Sequence, residues 1–319
     1  MPPASPPEEL PQLALSAATA DAYCEAILSQ RGVETWWYLT GLAPYRGYSR
    51  PFRDRTGRWW WCVKPHFAWP LDFFEPPARA VGPPRVKCLL GYQDRVPEDE
   101  SDSRVWMNVI PDVRGYGVAS VEANKRRAVR KGLKELELAV VDPGDPAVVA
   151  AAHEVWVSHV QRTGWNQPLT PARFRETWRQ LANIPGTTVL TARDPRQAGL
   201  LCAWLIGRVV GGVAYVDTIA SHTERLAKRP NDALVFAFVA GAARLPGVTR
   251  AHYSLVSSLG PLERFKRFLG FVPTAFPARL HVLAPLRLAL RCLRPGIWAR
   301  LRGEGHWDRV GEETESCSK

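Results

Sequence analysis

The sequence lacks the short motifs that identify the common metal-dependent and nucleotide-dependent enzymes. It contains no GxSxG, HExxH, Walker A or GxGxxG segment, which disfavours serine hydrolases, zinc proteases, P-loop NTPases and Rossmann dehydrogenases. The six cysteines are far apart and form neither a CxxC pair nor a Cys/His cluster, which argues against zinc and against a disulfide framework. We therefore predict no metal site and a chain that works in a reducing compartment.

Long apolar runs and targeting signals are also missing. No uninterrupted apolar run reaches the roughly 18 residues that a membrane span needs. Residues 1–16 are rich in proline and include acidic residues, without the basic and apolar regions of a secretory signal. We predict a disordered leader over residues 1–16 and a cytoplasmic protein.

Acidic residues are outnumbered, since 42 Lys and Arg against 31 Asp and Glu give a formal charge of +11. This excess favours anionic partners, such as nucleic acid, an anionic membrane surface or a nucleotide-like cofactor. A general Arg-rich composition gives the same excess without any such partner. The hydrophobic fraction of 46% is typical of a globular protein, and 319 residues allow one large domain or two ordinary ones.

Aromatic and basic residues mark two regions at the ends of the chain. Six of the thirteen tryptophans lie between residues 36 and 69, in β-prone segments broken by proline and glycine. We predict an aromatic-rich α+β region over residues 17–115, whose topology the pattern leaves open. Residues 284–319 are predicted to form a basic amphipathic tail, because Arg287, Arg291 and Arg294 share one helix face beside leucines.

The region 116–283 has the most informative order of elements. Its patterns predict a basic helix that ends at Gly132, a strand, two helices, an antiparallel meander, and then helix, strand, helix and strand pair. The predicted helices are 120–132, 146–161, 170–182, 231–245 and 261–269, and the predicted strands are 137–141, 187–193, 200–207, 212–220, 250–256 and a pair within 271–282. This order is typical of an α+β domain in which helices pack on a mixed sheet.

The loop after the meander is the candidate site for an anionic donor. Lys228 and Arg229 come directly before the predicted helix N-terminus at Asn231, whose free N–H groups bind phosphate or carboxylate. With Ser221 and Asp232 they form the set of predicted donor-binding residues. An ordinary solvated loop with Asn231 as a helix cap is the alternative interpretation.

Few residues are candidates for acid–base chemistry. Asp217 lies on an otherwise apolar strand, where a carboxylate is costly to bury unless it is paired or used. We predict Asp217 and Tyr253 as catalytic candidates, and a structural hydrogen bond is the alternative role for Asp217. Ser257 and Lys266 are predicted to edge the acyl or acceptor channel and join the donor-binding set. The alternative is a core-packing helix with a basic outer face on which Lys266 points away from the core.

Three short segments carry a family resemblance. The helix NKRRAVRKGLKELELAVV is similar to a pattern R-R-x-I-R-K-A-x-K-x-G, with Val129 where Ile is usual. AKRPNDALVFAFVAGAARL matches a polar-Pro loop before a long helix, and LERFKRFLG matches a late L-x-x-F-K-x-x-x-G segment. With the order of elements, these segments resemble the GNAT acyltransferase fold, and more narrowly its FemAB-like branch, over about half the chain.

The resemblance implies an N-acyltransferase, of the acetyltransferase type or a relative of it. Such an enzyme moves an acyl or aminoacyl group from acyl-CoA or aminoacyl-tRNA, as co-substrate, to an amine or hydroxyl of a small molecule or cell-envelope precursor, without a bound cofactor. Members often have two tandem halves, so the region before residue 116 is expected to be a degenerate first half. The glycine-rich pyrophosphate loop, Q/R-x-x-G-x-G/A, is replaced by Lys228–Asp232, which leaves acetyl-CoA open as the donor.

A non-catalytic GNAT-like protein is the second hypothesis. Five cations lie within two turns of the basic helix, namely Lys125, Arg126, Arg127, Arg130 and Lys131. Such a cluster binds anionic polymers through counterion release, although a solvated helix face is its ordinary role. On this hypothesis the basic helix and the tail dock on tRNA, other nucleic acid or an anionic membrane.

Overall fold

The computed structural model describes residues 15–29, 50–64, 66–74, 82–164, 168–257 and 259–304. Within these residues the α-helices are α1 (Ala20–Ser29), α2 (Ala123–Glu135), α3 (Pro146–Thr163), α4 (Pro171–Leu181), α5 (Pro230–Ala242), α6 (Gly260–Phe268), α7 (Ala284–Leu293) and α8 (Pro295–Arg302). The strands are β1 (Phe52–Arg53), β2 (Trp59–Lys64), β3 (Phe67–Pro70), β4 (Gly91–Arg95), β5 (Ser103–Ile110), β6 (Glu137–Val140), β7 (Thr187–Asp194), β8 (Leu200–Val210), β9 (Val213–Ser221), β10 (Arg250–Leu255) and β11 (Val272–His281). None of these described helices combines the length and apolar character that crossing a bilayer requires.

The chain divides into two compact units. The first unit contains residues 1–26, 109–254 and 267–271, and the second contains residues 27–108, 255–266 and 272–319. Both units are discontinuous in sequence, whereas the segments 17–115, 116–283 and 284–319 predicted from the sequence are continuous. The two divisions describe different things, and the predicted segment boundaries stay a prediction.

The first unit is built on strands in the order β10-β9-β8-β7-β6. Strands β7, β8 and β9 pair antiparallel over their lengths, which confirms the predicted meander. Strand β6 adds antiparallel to β7, while β10 adds parallel to β9 and makes the sheet mixed. The residues of β7 and β8 are almost all buried, and a strand covered on both faces needs no polar alternation.

Helices cover both faces of this sheet. The Trp204 indole N–H of β8 donates to the Ala152 carbonyl of α3 at 3.0 Å. Gly207, three residues further along β8, lies under the Phe238 ring of α5. Because side chains alternate across a strand, positions three apart face opposite sides, so α3 and α5 lie on opposite faces. The Asp145 and Thr170 side chains cap α3 and α4, accepting from the Ala147 and Arg173 N–H groups respectively.

The predicted end of the basic helix at Gly132 is wrong. Helix α2 continues to Glu135, and Gly132 lies inside it where α2 packs against the start of α5. A methyl group at this position would lie 2.7 Å from the Arg229 carbonyl oxygen and 2.8 Å from the Ala233 Cβ. The glycine therefore allows two helices to approach closely and does not terminate the helix.

The second unit contains strands in the order β1-β2-β3-β4-β11-β5. A tight turn joins β1 and β2, and in it the Asp54 carboxylate accepts from the Thr56 N–H at 2.8 Å. The predicted final strand pair is wrong, because residues 272–281 form the single strand β11, which pairs antiparallel with β4. The α+β class with a mixed sheet is confirmed, whereas a degenerate first GNAT-like half stays a prediction.

The two ends of the chain are only partly described. Of the predicted disordered leader, residues 1–14 lie outside the described residues; Leu15 is buried and the Ser16 hydroxyl accepts from the Gly186 N–H at 2.9 Å. The predicted basic tail contains two helices, α7 and α8, that meet at Arg294 and Pro295. Residues 305–319 lie outside the described residues.

Candidate active site

The parallel strands β9 and β10 separate part-way along their length. They pair through three residues each, Val213–Tyr215 with Arg250–His252. Both strands lie entirely within the described residues, and their pairing stops at this point, although β9 continues to Ser221 and β10 to Leu255. The result is an opening between the two strands beyond Tyr215 and His252.

A β-bulge lies where the strands separate. Val216 and Thr218 of β9 pair with Gly207 and Ile206 of β8, so Asp217 is the extra residue between them. A bulge bends its strand and increases the local twist, which accounts for the divergence of β9 from β10. On β10, Ser254 has a positive φ of 59°, a conformation that non-glycine residues adopt at a cost and that is common at binding sites.

The predicted catalytic candidate Asp217 is paired inside the first unit. Its carboxylate lies 3.3 Å from the Arg208 guanidinium of β8, which also donates to the Tyr23 hydroxyl of α1. Burial raises the pKa of Asp217, and the Arg208 charge opposes this rise. Sequence reasoning missed Arg208. An arginine in the apolar run LLCAWLIGRVV indicates a buried ion pair just as an aspartate in β9 does, because each charge requires a partner when it is buried.

Ser221 of β9 and Tyr253 of β10 lie beyond the point where the two strands diverge. Tyr253 of β10 is buried, and its ring lies against Phe271 with 5.6 Å between centroids. Ser221, the last residue of β9, is fully buried, and its hydroxyl accepts from the Arg162 guanidinium of α3 at 3.3 Å. The structure thus places these two predicted residues on the two strands that form the opening.

The loop after β9 is a 3₁₀ helix, Thr223–Lys228, that leads directly into α5. Lys228 is engaged there, because its Nζ lies 2.6 Å from the fully buried Asp194 carboxylate. Lys228 holds the pKa of Asp194 below its usual range. Arg229 is exposed and left-handed, with φ 60°, and it occupies the N-cap position of α5.

Helix α5 begins at Pro230, so Asn231 is its second residue and not its cap. The Asn231 side-chain oxygen is buried without a hydrogen-bond partner among the described residues. Asp232 forms an ion pair with Lys125 of α2, at 2.9 Å between Nζ and Oδ1. The start of α5 therefore has free N–H groups, one exposed cation and one unsatisfied acceptor.

An open groove of about 690 Å³ lies between α3 and the 3₁₀ helix after β9. The Thr223 backbone N–H donates to the Ser158 hydroxyl at 3.0 Å and holds the two sides together. Sequence reasoning missed this groove, because its residues have no motif spacing and meet only through the packing of α3 on the sheet. The groove is lined by His153, Glu154, Val157, Ser158, Gln161, Arg162, His222, Thr223 and Glu224.

Ser257 and Lys266 belong to the second unit and share one partner there. The Glu263 carboxylate accepts from the Ser257 backbone N–H at 3.0 Å and from the Lys266 ammonium at 2.8 Å. Lys266 is 1% exposed, so the prediction that it points away from the core is wrong. Burial lowers the pKa of Lys266, and the neighbouring Glu263 carboxylate raises it. The two side chains thus form a buried ion pair on α6, in which each charge compensates the other.

Comparison with known proteins identifies the architecture. No protein-family model matches the chain, and no curated protein matches its sequence. Among solved structures, L-PGS from Bacillus licheniformis matches with a TM-score of 0.52 at 13% identity, over 91% of this chain and 98% of that one. The fold is GNAT-like. The resemblance inferred from the sequence is thereby confirmed at the level of the fold.

Two further solved structures are similar to this chain, with lower TM-scores. FemX matches over 59% of this chain at 13% identity and a TM-score of 0.47, and the match spans 63% of FemX. A GCN5-related N-acetyltransferase from Kribbella flavida matches over 68% of this chain and 80% of its own, at 15% identity and a TM-score of 0.35.

Proposed function

We propose that this protein is an acyltransferase that moves an acyl or aminoacyl group from a CoA-linked or tRNA-linked donor to an amine or hydroxyl acceptor. The observation that carries the proposal is the opening between β9 and β10. A thioester or ester chain that enters such an opening completes the interrupted sheet, and a strand N–H polarises its carbonyl. This chemistry needs positioning and one donor more than it needs a reactive side chain.

The donor's phosphates are proposed to lie at the start of α5. The free N–H groups and the dipole of a 13-residue helix favour an anion there. Arg229 is exposed beside them, and the unsatisfied Asn231 oxygen suits a donor group of the ligand. Lys228 and Asp232 have protein partners already, so we assign them to shaping the loop and Arg229 to holding the phosphate.

The acceptor is proposed to enter through the groove beside α3. Ser221 and Arg162 connect this groove to the end of β9, where the reacting carbonyl would lie. Glu154, His222 and Glu224 offer groups that bind or deprotonate an amine. Asp217 would act on the acceptor indirectly, by holding β9 in position, and Tyr253 of β10 would assist deprotonation of the acceptor. We place the reaction in the cytoplasm, with a cell-envelope precursor as one acceptor class.

The decisive experiment is a thermal-shift titration with CoA, acetyl-CoA, a long-chain acyl-CoA and ATP. A ligand at a hundredfold excess over its Kd stabilises the fold by about 2.7 kcal/mol, which shifts the melting temperature measurably. We expect a shift with CoA compounds and none with ATP, and a weaker shift in Arg229→Ala. Arg175→Ala removes another exposed arginine, on α4, and is the matched control.

The outcomes separate the donor classes from the alternative function. If Arg229→Ala and Arg175→Ala respond alike to CoA, the phosphate site is not at α5. If CoA gives no shift but aminoacyl-tRNA binds and its ester is consumed by an added amine, the donor is the tRNA-linked one. If the protein binds tRNA without consuming any ester or thioester, the non-catalytic GNAT-like function replaces the proposal.

A further inference from the structure

Helices α7 and α8 present an exposed surface that the proposed acyl transfer does not use. Four large apolar side chains on this segment are exposed to solvent: Leu283 (52%), Leu288 (65%), Leu293 (76%) and Ile297 (43%). Single exposed leucines are ordinary, but four large apolar residues exposed within fifteen positions concentrate apolar surface in this segment. We call these four side chains, with the exposed Arg287, Arg291 and Arg294, the C-terminal surface.

The two helices are attached within the second unit through other side chains. Leu286, Leu290, Trp298 and Leu301 pack on the cluster formed by Phe67, Leu280 and Val282. The Trp106 indole N–H donates to the Gly303 carbonyl at 3.1 Å, and the Gln93 amide donates to the Leu301 carbonyl at 3.1 Å. These contacts hold α7 and α8 in place, and Leu288 and Leu293 stay exposed although the helices are packed.

The charge of this segment has one sign. Residues 284–303 contain five arginines and no aspartate or glutamate. Arg287 and Arg291 lie one turn apart on α7 and flank Leu288, while Arg294 lies beside Leu293. Cations next to exposed apolar side chains are the arrangement of helices that lie in a lipid interface, where leucines enter the acyl region and arginines meet the headgroups.

We propose that the C-terminal surface docks the protein on an anionic phospholipid membrane. An anionic membrane satisfies both components of the surface at once, because it offers hydrocarbon to the leucines and negative charge to the arginines. Nucleic acid also attracts the arginines, but it offers nothing that uses Leu288, Leu293 and Ile297. The binding is peripheral and comes in addition to acyl transfer.

Vesicle co-sedimentation of the full chain tests the proposal. Wild-type protein is expected to bind vesicles of phosphatidylcholine with 30% phosphatidylglycerol more tightly than pure phosphatidylcholine, and to lose this preference in 0.5 M salt. Each arginine contributes about fivefold to partitioning on an anionic surface, so R287E/R294E should weaken binding by at least about 20-fold. L288S/L293S should weaken it by at least about tenfold.

Matched controls come from exposed residues outside the C-terminal surface. Leu89→Ser removes another exposed leucine of the second unit, and R175E/R244E reverses two exposed arginines of the first unit. Both controls should bind vesicles nearly as wild type, and far-UV circular dichroism confirms that every variant is folded. The proposal is overturned if wild type does not prefer anionic vesicles, if either test variant binds like its control, or if R287E/R294E loses tRNA binding while vesicle binding is unchanged.

Discussion

Lys266 shows how a single buried charge can be misjudged from sequence. Its neighbours in RFKRF are polar or aromatic, and a helical wheel does not say which lysine turns inward. In the structure Glu263, three residues earlier, provides its partner at 2.8 Å, and the Leu255 carbonyl accepts at 3.3 Å. Removing one member of a buried pair leaves the other charge uncompensated, which is more costly than removing both.

We predict that Lys266→Met destabilises the protein by about 3–5 kcal/mol and that K266M/E263L recovers most of this loss. Urea denaturation of the two variants and wild type measures both free energies of unfolding. The double variant also tests the channel role predicted from the sequence. If it is stable but binds the donor more weakly than wild type, the Lys266–Glu263 pair contributes to donor binding in addition to stability.

His159 on α3 gives the first unit a pH dependence. The ring stacks on Trp156, with 5.9 Å between centroids, and its Nδ1 accepts from the Arg162 guanidinium at 3.1 Å. Burial, and secondarily the Arg162 charge, lower the pKa of His159 to about 4 from its usual 6.5. The folded protein therefore keeps this ring neutral, while the unfolded chain binds a proton between these two pKa values.

The free energy of unfolding should consequently fall as the pH decreases from about 6.5 to 4, and His159 should have no further effect below that range. In His159→Gln this fall should be smaller by on the order of 2 kcal/mol. Melting temperatures of wild type and variant at pH 8, 6 and 4.5 measure the effect. Parallel curves for the two proteins would show that His159 does not carry this dependence.

At the scale of elements, Gly132 lies where the basic helix α2 packs against the start of α5, which is the proposed phosphate site. Its missing side chain is what lets α2 approach the N-terminus of α5. We predict that Gly132→Ala destabilises the protein by roughly 1–3 kcal/mol through overpacking, despite a gain of about 1 kcal/mol in helix propensity. Gly296→Ala in α8, where nothing lies within 4 Å of the new methyl, should be neutral or slightly stabilising.

Chemical denaturation compares the two alanine variants. Equal stability of both would mean that α2 and α5 separate without cost and that Gly132 has no packing role. A donor-affinity loss in Gly132→Ala, at a temperature where it is fully folded, would add that the spacing of α2 and α5 tunes the phosphate site.

Elements with local signals could be predicted from the sequence, and elements fixed by distant contacts could not. The meander and the caps at Asp145 and Thr170 follow from turn and cap chemistry within a few residues. The end of α2 could not be placed, because Gly132 is needed for close packing against Arg229, which lies almost a hundred residues away in the sequence. The same reason hides the partners of Asp217 and Lys228, which come from neighbouring strands, and the groove beside α3.

At the scale of the whole molecule, the net charge of +11 is distributed unevenly. Lys125 and Arg126 of the basic helix are engaged, the first by Asp232 and the second by the Val121 carbonyl. Arg127, Arg130 and Lys134 of α2 remain exposed, and they share one side of the helix. A polyanionic donor such as tRNA would contact them beyond the α5 site, whereas a CoA ester is too small to need them.

Salt dependence separates these donors. For tRNA, each phosphate contact changes the slope of log K against log salt by about 0.7–0.9, so R127E/R130E/K134E should reduce the slope by roughly 2–3. R175E/R196E/R244E is the control, since three reversals on either surface lower the formal charge from +11 to +5. If both triple variants lower the tRNA slope equally, only the overall charge attracts RNA. If R127E/R130E/K134E alone lowers it while CoA affinity is unchanged, α2 is the surface that receives a tRNA-linked donor.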